Sequence, residues 1–171
     1  MGLWLNRLSY HVPEKLLRPP EVARFELDHA LPGTTVDLNL QEEMGDAWEI
    51  CPDEDGSMCL SGGETGLLYA AYRLIMDSLC GIRICDRLSS SPKYSLRMIN
   101  CWDNADGSIE RGYSGRSLYF NGGKLSYSVE RVREVARLMA SVGLNVLCIN
   151  NVNVHDPAQE LLEEYLPDLA I

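Results

Sequence analysis

The chain contains no apolar run approaching the roughly 18 residues of a membrane span, so nothing in its 171 residues points to a transmembrane segment. Basic charge is scarce: 15 Lys and Arg stand against 25 Asp and Glu, a net charge of −10. A nucleic-acid partner requires a basic patch, so neither nucleic acid nor a membrane is expected as a partner. Acidity itself mainly serves solubility. No low-complexity tract interrupts the chain, which is 46% hydrophobic and 23% charged, the composition of a globular protein. That length suits one ordinary domain, or one small domain plus part of another. The six cysteines, Cys51, Cys59, Cys80, Cys85, Cys101 and Cys148, include no CxxC pair. They read as reduced thiols, with zinc or a disulfide framework as the alternative. The start, MGLWLNRLSYHVPE, lacks a basic opening followed by a long apolar core, so a cytoplasmic location is expected.

Several motifs fail when counted. An EF-hand frame needs an acidic residue or Asn five positions before its glycine, but Gly107 and Gly56 are preceded there by Trp102 and Cys51. No GxGxxG follows a strand, and no GxSxG or Cys/His constellation occurs. SGGETG, ahead of a helix, could cradle an anion at the helix N-terminus. It lacks a Lys and the P-loop spacing, so a structural turn is the plainer reading. His155 has no Cys or His at metal-ligand spacing and reads as surface or packing.

PPEVARFELDHALPG predicts a short helix, with proline in its first turn, Val22, Phe25 and Leu27–Ala30 as its apolar side, and Pro32-Gly33 as its end. TTVDLNL, residues 34–40, alternates as a strand does. Trp48–Ile50 and Met58–Leu60 flank CPDEDGS as a hairpin. ETGLLYAAYRLIMDSL, residues 64–79, predicts a helix with Leu68, Tyr72, Ile75 and Leu79 on one face and Gly81 as its C-terminal cap. Residues 1–85 therefore read as an α+β domain, a mixed sheet with helices. DRLSSSPK, residues 86–93, reads as a linker.

After the linker the rhythm changes. YSLRMIN (94–100) predicts a strand. Residues 128–142 predict a helix with Val129, Val132, Ala136, Met139 and Val142 on one side, a Ser126 or Ser128 cap, and Gly143 as its stop. LNVLCIN (144–150) reads as a strand buried on both faces of a parallel sheet, and residues 158–170 as another helix. This is a βαβ unit entering a second repeat.

In a βα barrel, working residues lie past the C-terminal ends of the strands. Two segments occupy that position: CWDNADGSIERGYSG and NNVNVH. Parallel neighbouring strands would bring them to one rim. Trp102 offers a flat apolar face, and Asn, Asp, Glu and Arg offer hydrogen bonds, a combination that suits a sugar. The plainer alternative stays open, because Asn and Asp in loops commonly bond their own backbone. Glu110 and Arg111 read as a local ion pair.

KYSLRMINCWDNADGSIERGYSGRSLYF, then VERVREVARLMASVGLN, then VLCINNVNVH, resemble the α-glucuronidases of glycoside hydrolase family 67. WLNRLSY and GDAWEI…GLLYAAYRLI resemble that family's N-terminal domain, so the resemblance spans nearly the whole chain. It implies an α+β N-terminal domain followed by the first βα units of an incomplete (β/α)8 barrel, within residues 94–171. It implies inverting hydrolysis that removes (4-O-methyl)glucuronic acid from xylan fragments, with no metal or organic cofactor. Carboxylates about 6.5–9.5 Å apart do this work in inverting glycosidases. In the family they lie on later barrel strands, so this chain is expected to be inactive alone. Its implied substrate-binding residues are Trp102 and Val152, which match the family's apolar pocket for the 4-O-methyl group, with Asp103 and Asn151 beside them. The implied partners are glucuronic-acid-bearing xylo-oligosaccharides, and homodimerisation of the full-length family member is allowed for. Two features depart from the family: Cys101 stands where a His is common, and the segment before the Leu67 helix is shorter. A stand-alone carbohydrate-binding module, or one half of a split enzyme, are the alternatives. With too few residues to close a barrel of about 250, residues 86–171 are expected to be poorly stable alone.

Overall fold

The computed structural model describes residues 17–150. They fall into two compact units, residues 17–95 with 138–143 and residues 96–137 with 144–150. The N-terminal WLNRLSY run, the 158–170 helix, His155, Asn151 and Val152 lie outside the described residues.

The first unit is α+β. Helix α1, Pro19–Ala30, opens on two prolines, whose missing N–H groups fall where a helix has no internal acceptor for them. The Glu21 carboxylate accepts the Arg18 amide at 2.7 Å. The buried line of α1 runs through Ala23, Glu26 and Leu27, not through Val22 and Phe25 as the apolar pattern predicts. Phe25 instead stacks on His29 one turn on, with ring centroids 6.2 Å apart.

Strand β1 is Val36–Leu40, β2 Trp48–Pro52 and β3 Met58–Gly62, with a short 3-10 turn at Glu42–Met44 between the first two. β2 and β3 form the expected antiparallel hairpin, and β1 lies parallel to β3. Residues 86–93, expected as a linker, contribute strand β4, Leu88–Ser90, antiparallel to β2. The sheet order is therefore β1-β3-β2-β4. Serine-rich composition hides this strand because its pairing is main-chain work that asks little of side chains.

Helix α2, Glu64–Leu79, has the predicted bounds. It ends in a Schellman cap: Gly81, at φ +73°, donates to the Ser78 carbonyl, and Ile82 donates to that of Asp77. Leu67, Ala70, Ala71, Tyr72, Leu74 and Ile75 on α2 bury against Leu27, Ile50 and Leu60. The register sets Ile50 opposite Leu60, so both point into this core. SGGETG acts through close packing. A Cβ on Gly66 would stand 2.2 Å from the Ala47 carbonyl oxygen, an approach only glycine permits.

In the second unit, β5 is Met98–Trp102, β6 Phe120–Asn121, β7 Lys124–Leu125, α3 Val129–Ser141 and β8 Val146–Asn150. Residues 138–141 at the end of α3 group with the first unit. β5 and β8 are parallel neighbours connected through α3, a βαβ arrangement. Asn145 fixes the approach to β8, since its Oδ1 accepts the Arg97 amide at 2.9 Å and its own amide donates to the Arg97 carbonyl at 3.0 Å. β5 begins later than residues 94–100 would place it and includes Trp102 itself. Val146–Ile149 are half-buried rather than enclosed on both faces, because β5 is the neighbour of β8 within this two-stranded sheet.

Ser128 caps α3: its Oγ accepts the Arg131 amide at 3.3 Å. Of the predicted stripe, Met139 is buried, whereas Val129, Ala136 and Val142 are exposed. Gly143, at φ +75°, donates to the Ala140 carbonyl and stops the helix.

Candidate functional site

The loop after β5 is tied into one piece by its own polar side chains. Asp106 Oδ1 accepts the Ser108 amide at 2.8 Å and the Ser108 hydroxyl at 2.6 Å. Asn104 Nδ2 donates to Ser108 Oγ at 2.9 Å and to the Glu110 carbonyl at 2.6 Å. Short bridges pair Asp103 with Ile109 and Ser108 with Arg116. The Ser117 hydroxyl accepts the amides of Tyr119 and Phe120 at 3.0 and 2.9 Å. Gly107 makes this folding possible: it sits at φ +92°, and a Cβ there would meet the Phe120 carbonyl oxygen at 2.7 Å. Asn104, Asp106 and Ser108 therefore do the plainer of the two jobs open to them, which is to shape the loop.

What they shape is an open cavity of about 380 Å³, lined among others by Trp102, Asp103, Ile109, Glu110 and Tyr119. Trp102 ends β5 and is 42% exposed, and Asp103, the next residue, is 4% exposed. One strand end thus presents an accessible indole beside a sequestered carboxyl group. Trp102 lies in register with Asn150 of β8. Hence the C-terminal ends of both parallel strands are level.

The charges here are settled by hydrogen bonds. Glu110 adopts φ +54°, and its carboxylate accepts the Ser114 hydroxyl at 2.6 Å. Bonds from Ser114 and Tyr113, with a smaller contribution from the Arg111 charge, hold the Glu110 carboxyl below its ordinary range. Burial pushes the Cys101 thiol up, and the neighbouring Asp103 and Cys148 add to that. Tyr119 is 2% exposed. Burial, then the negative ends of Cys101 and Asp103, raise its phenol to about 12. Among the described residues its buried hydroxyl has no hydrogen-bond partner. A neutral phenol therefore lies at the cavity wall.

Of the four substrate-binding candidates, Trp102 and Asp103 line this cavity together, while Val152 and Asn151 lie outside the described residues. Tyr119, Leu118 and Ile109 are wall residues that the sequence pattern does not single out. No local spacing connects them to Trp102, and only the refolding of the loop on β5 brings them near. Among the described residues no group of three or more His, Cys, Asp and Glu is arranged to hold a metal ion, and no helix is long and apolar enough to cross a membrane.

Comparison with known proteins places this site in context. Alpha-glucuronidase A of Aspergillus tubingensis is 36% identical over 135 residues, 78% of this chain and 16% of that protein. A probable alpha-glucuronidase A of Aspergillus niger is 35% identical over 136 residues, again 78% of this chain and 16% of the relative. A probable alpha-glucuronidase A of Neosartorya fischeri is 42% identical over 92 residues, 54% of this chain and 11% of the relative. The chain thus spans no more than 16% of the length of these relatives. The model of the glycosyl hydrolase family 67 middle domain matches residues 82–171, which include the whole Trp102 loop. With just over half of its residues matched in this way, the chain belongs to glycosyl hydrolase family 67.

Proposed function

We propose that this chain is a portion of an α-glucuronidase that acts on glucuronic-acid-bearing xylo-oligosaccharides. In this reading it consists of the α+β N-terminal domain and the first βα units of a (β/α)8 barrel, and it contributes substrate binding rather than bond cleavage. The observation that carries the reading is the cavity beside the C-terminal end of β5, where the exposed Trp102 indole adjoins Asp103. A sugar ring has apolar C–H faces that pack on an indole and hydroxyls that pair with a carboxylate. Trp102 supplies the first contact and Asp103 the second, and Val152 and Asn151 are the further substrate-binding residues of this reading.

Cleavage with inversion needs one carboxyl group kept protonated near neutral pH to donate to the leaving oxygen, and a second to activate water. Glu110 is unsuited to the first role, because its hydrogen bonds favour the ionised form. In this reading the chain is a binding portion, and the acid and base come from later barrel strands of the complete enzyme.

Saturation-transfer NMR on the full chain with an aldouronic acid tests this, with glucuronate release followed in the same tube. The expected result is saturation transfer to the uronic acid ring and no release. Absence of transfer at millimolar sugar would sink the binding role, and release of glucuronate would sink the division of labour.

A further inference from the structure

A second feature lies in the first unit and is independent of the Trp102 cavity. On the hairpin of β2 and β3, Cys51 is directly opposite Cys59. Both thiols are free and half-buried. Their sequence neighbours Ile50 and Leu60 are paired in the same register and fully buried. Side chains alternate across a strand, so Cys51 and Cys59 share the opposite face of the sheet, away from that core.

The phase of the ladder can be read from its end. The Asp53 amide donates to the Ser57 carbonyl at 2.9 Å, and Pro52, which has no amide hydrogen, faces Met58. The pair at 52 and 58 is therefore not hydrogen-bonded, and Cys51 and Cys59 form a hydrogen-bonded pair. In such a pair the Cα atoms stand about 5.5 Å apart, inside the 4.4–6.8 Å range that disulfides span. The Cβ atoms of opposed residues stand about 4.5–5.5 Å apart, at the wide end for a hydrogen-bonded pair. A disulfide prefers about 3.5–4.5 Å. Closing the bond must draw the strands together slightly, and strained disulfides are the readily reduced class.

We propose that Cys51 and Cys59 form a cross-strand dithiol that closes reversibly to a disulfide by exchange with a small-molecule disulfide such as oxidised glutathione. One cysteine thiolate attacks a sulfur of the small disulfide, which forms a mixed disulfide and expels one glutathione thiolate. The facing cysteine, as thiolate, then attacks its partner's sulfur in the mixed disulfide and expels the second. The protein gives up two thiol protons and two electrons, and the small disulfide is reduced to two thiols. The register makes the second step intramolecular, so it outruns a second, separate glutathionylation. The other free cysteines lack such an arrangement: Cys80 and Cys85 are exposed in the segment after α2, and on the β5–β8 pair Cys101 is opposite Ile149 and Cys148 opposite Asn100.

The test uses the full, folded chain treated with excess oxidised glutathione, quenched in acid, alkylated and digested with trypsin. Cys51 and Cys59 both fall in the peptide Phe25–Arg73, which holds no other cysteine. Most of that peptide should be two hydrogens lighter and resistant to alkylation, and dithiothreitol should restore two alkylatable thiols. In Cys51→Ser, Cys59 should instead retain one glutathione. Two glutathiones on the wild-type peptide would overturn the proposal. So would two alkylated cysteines there while Cys80 and Cys85, each in a different peptide, have reacted.

Discussion

The Glu110 amide donates to the Trp102 carbonyl at 2.8 Å, returning the loop after β5 to the strand from which it departs. It joins the Asn104, Asp106 and Ser117 bonds in folding the loop against the strand end. At that point Glu110 takes a left-handed backbone and its carboxylate accepts the Ser114 hydroxyl.

The loop should fail if its tightest turn is widened. Gly107→Ala adds a Cβ that would overlap the Phe120 carbonyl oxygen, at a φ that alanine disfavours. We expect a loss of roughly 1–3 kcal/mol in the second unit, with weakened sugar binding. Chemical denaturation and a binding titration on the same variant check this, and an unchanged titration would show that the turn does not shape the cavity.

Tyr119 makes the stability depend on alkaline pH. Its phenol titrates near 12 in the folded chain against an ordinary value of 10.0, so folding favours the neutral form. That contribution is complete below pH about 10 and is lost as pH rises through about 12, amounting to up to roughly 3 kcal/mol. Tyr119→Phe removes a hydroxyl that has no partner among the described residues and should stabilise the free chain by about 1 kcal/mol. It should also remove the alkaline loss. Denaturant midpoints measured from neutral to strongly alkaline pH report both effects.

Leu60, fully buried at the centre of the first unit, holds both helices to the sheet. Leu60→Ala should cost about 2–5 kcal/mol by the cavity it leaves. Circular dichroism on thermal unfolding will show a large drop in midpoint if this core carries the unit.

The units should also differ in resistance. Exposed apolar side chains in the second unit include Leu96, Met98, Ile99 and Trp102, at or near a sheet that has two strands among the described residues. The first unit has a single closed core. Limited proteolysis should cut first between residues 96 and 128 and leave the α1–α2 region intact. A resistant fragment that runs through Asn150 would contradict this.

The parts of the fold that could be read from sequence are those governed by short-range rules. The bounds of α2 follow from apolar spacing and the Gly81 cap. The hairpin of β2 and β3 follows from CPDEDGS and its flanks. The parallel pairing of β1 with β3 could not be read, since strand order is a long-range property. β4 escaped because Leu-Ser-Ser carries no apolar alternation. The hairpin of β6 and β7 was in principle legible: Gly122 and Gly123 have φ of +58° and +77°, the backbone a two-residue hairpin turn requires. At the site, Trp102 and Asp103 were marked by their place at a strand end. Tyr119 was not, because its importance rests on burial without a partner, which no spacing encodes.

The most direct test of the account is a paired titration of methyl glucuronide into the full chain and into Trp102→Ala. The account predicts saturable binding of the glucuronide, weakened about tenfold or more by the substitution (~1.4 kcal/mol). Equal glucuronide affinity in both proteins, or no saturable binding to either, would contradict it.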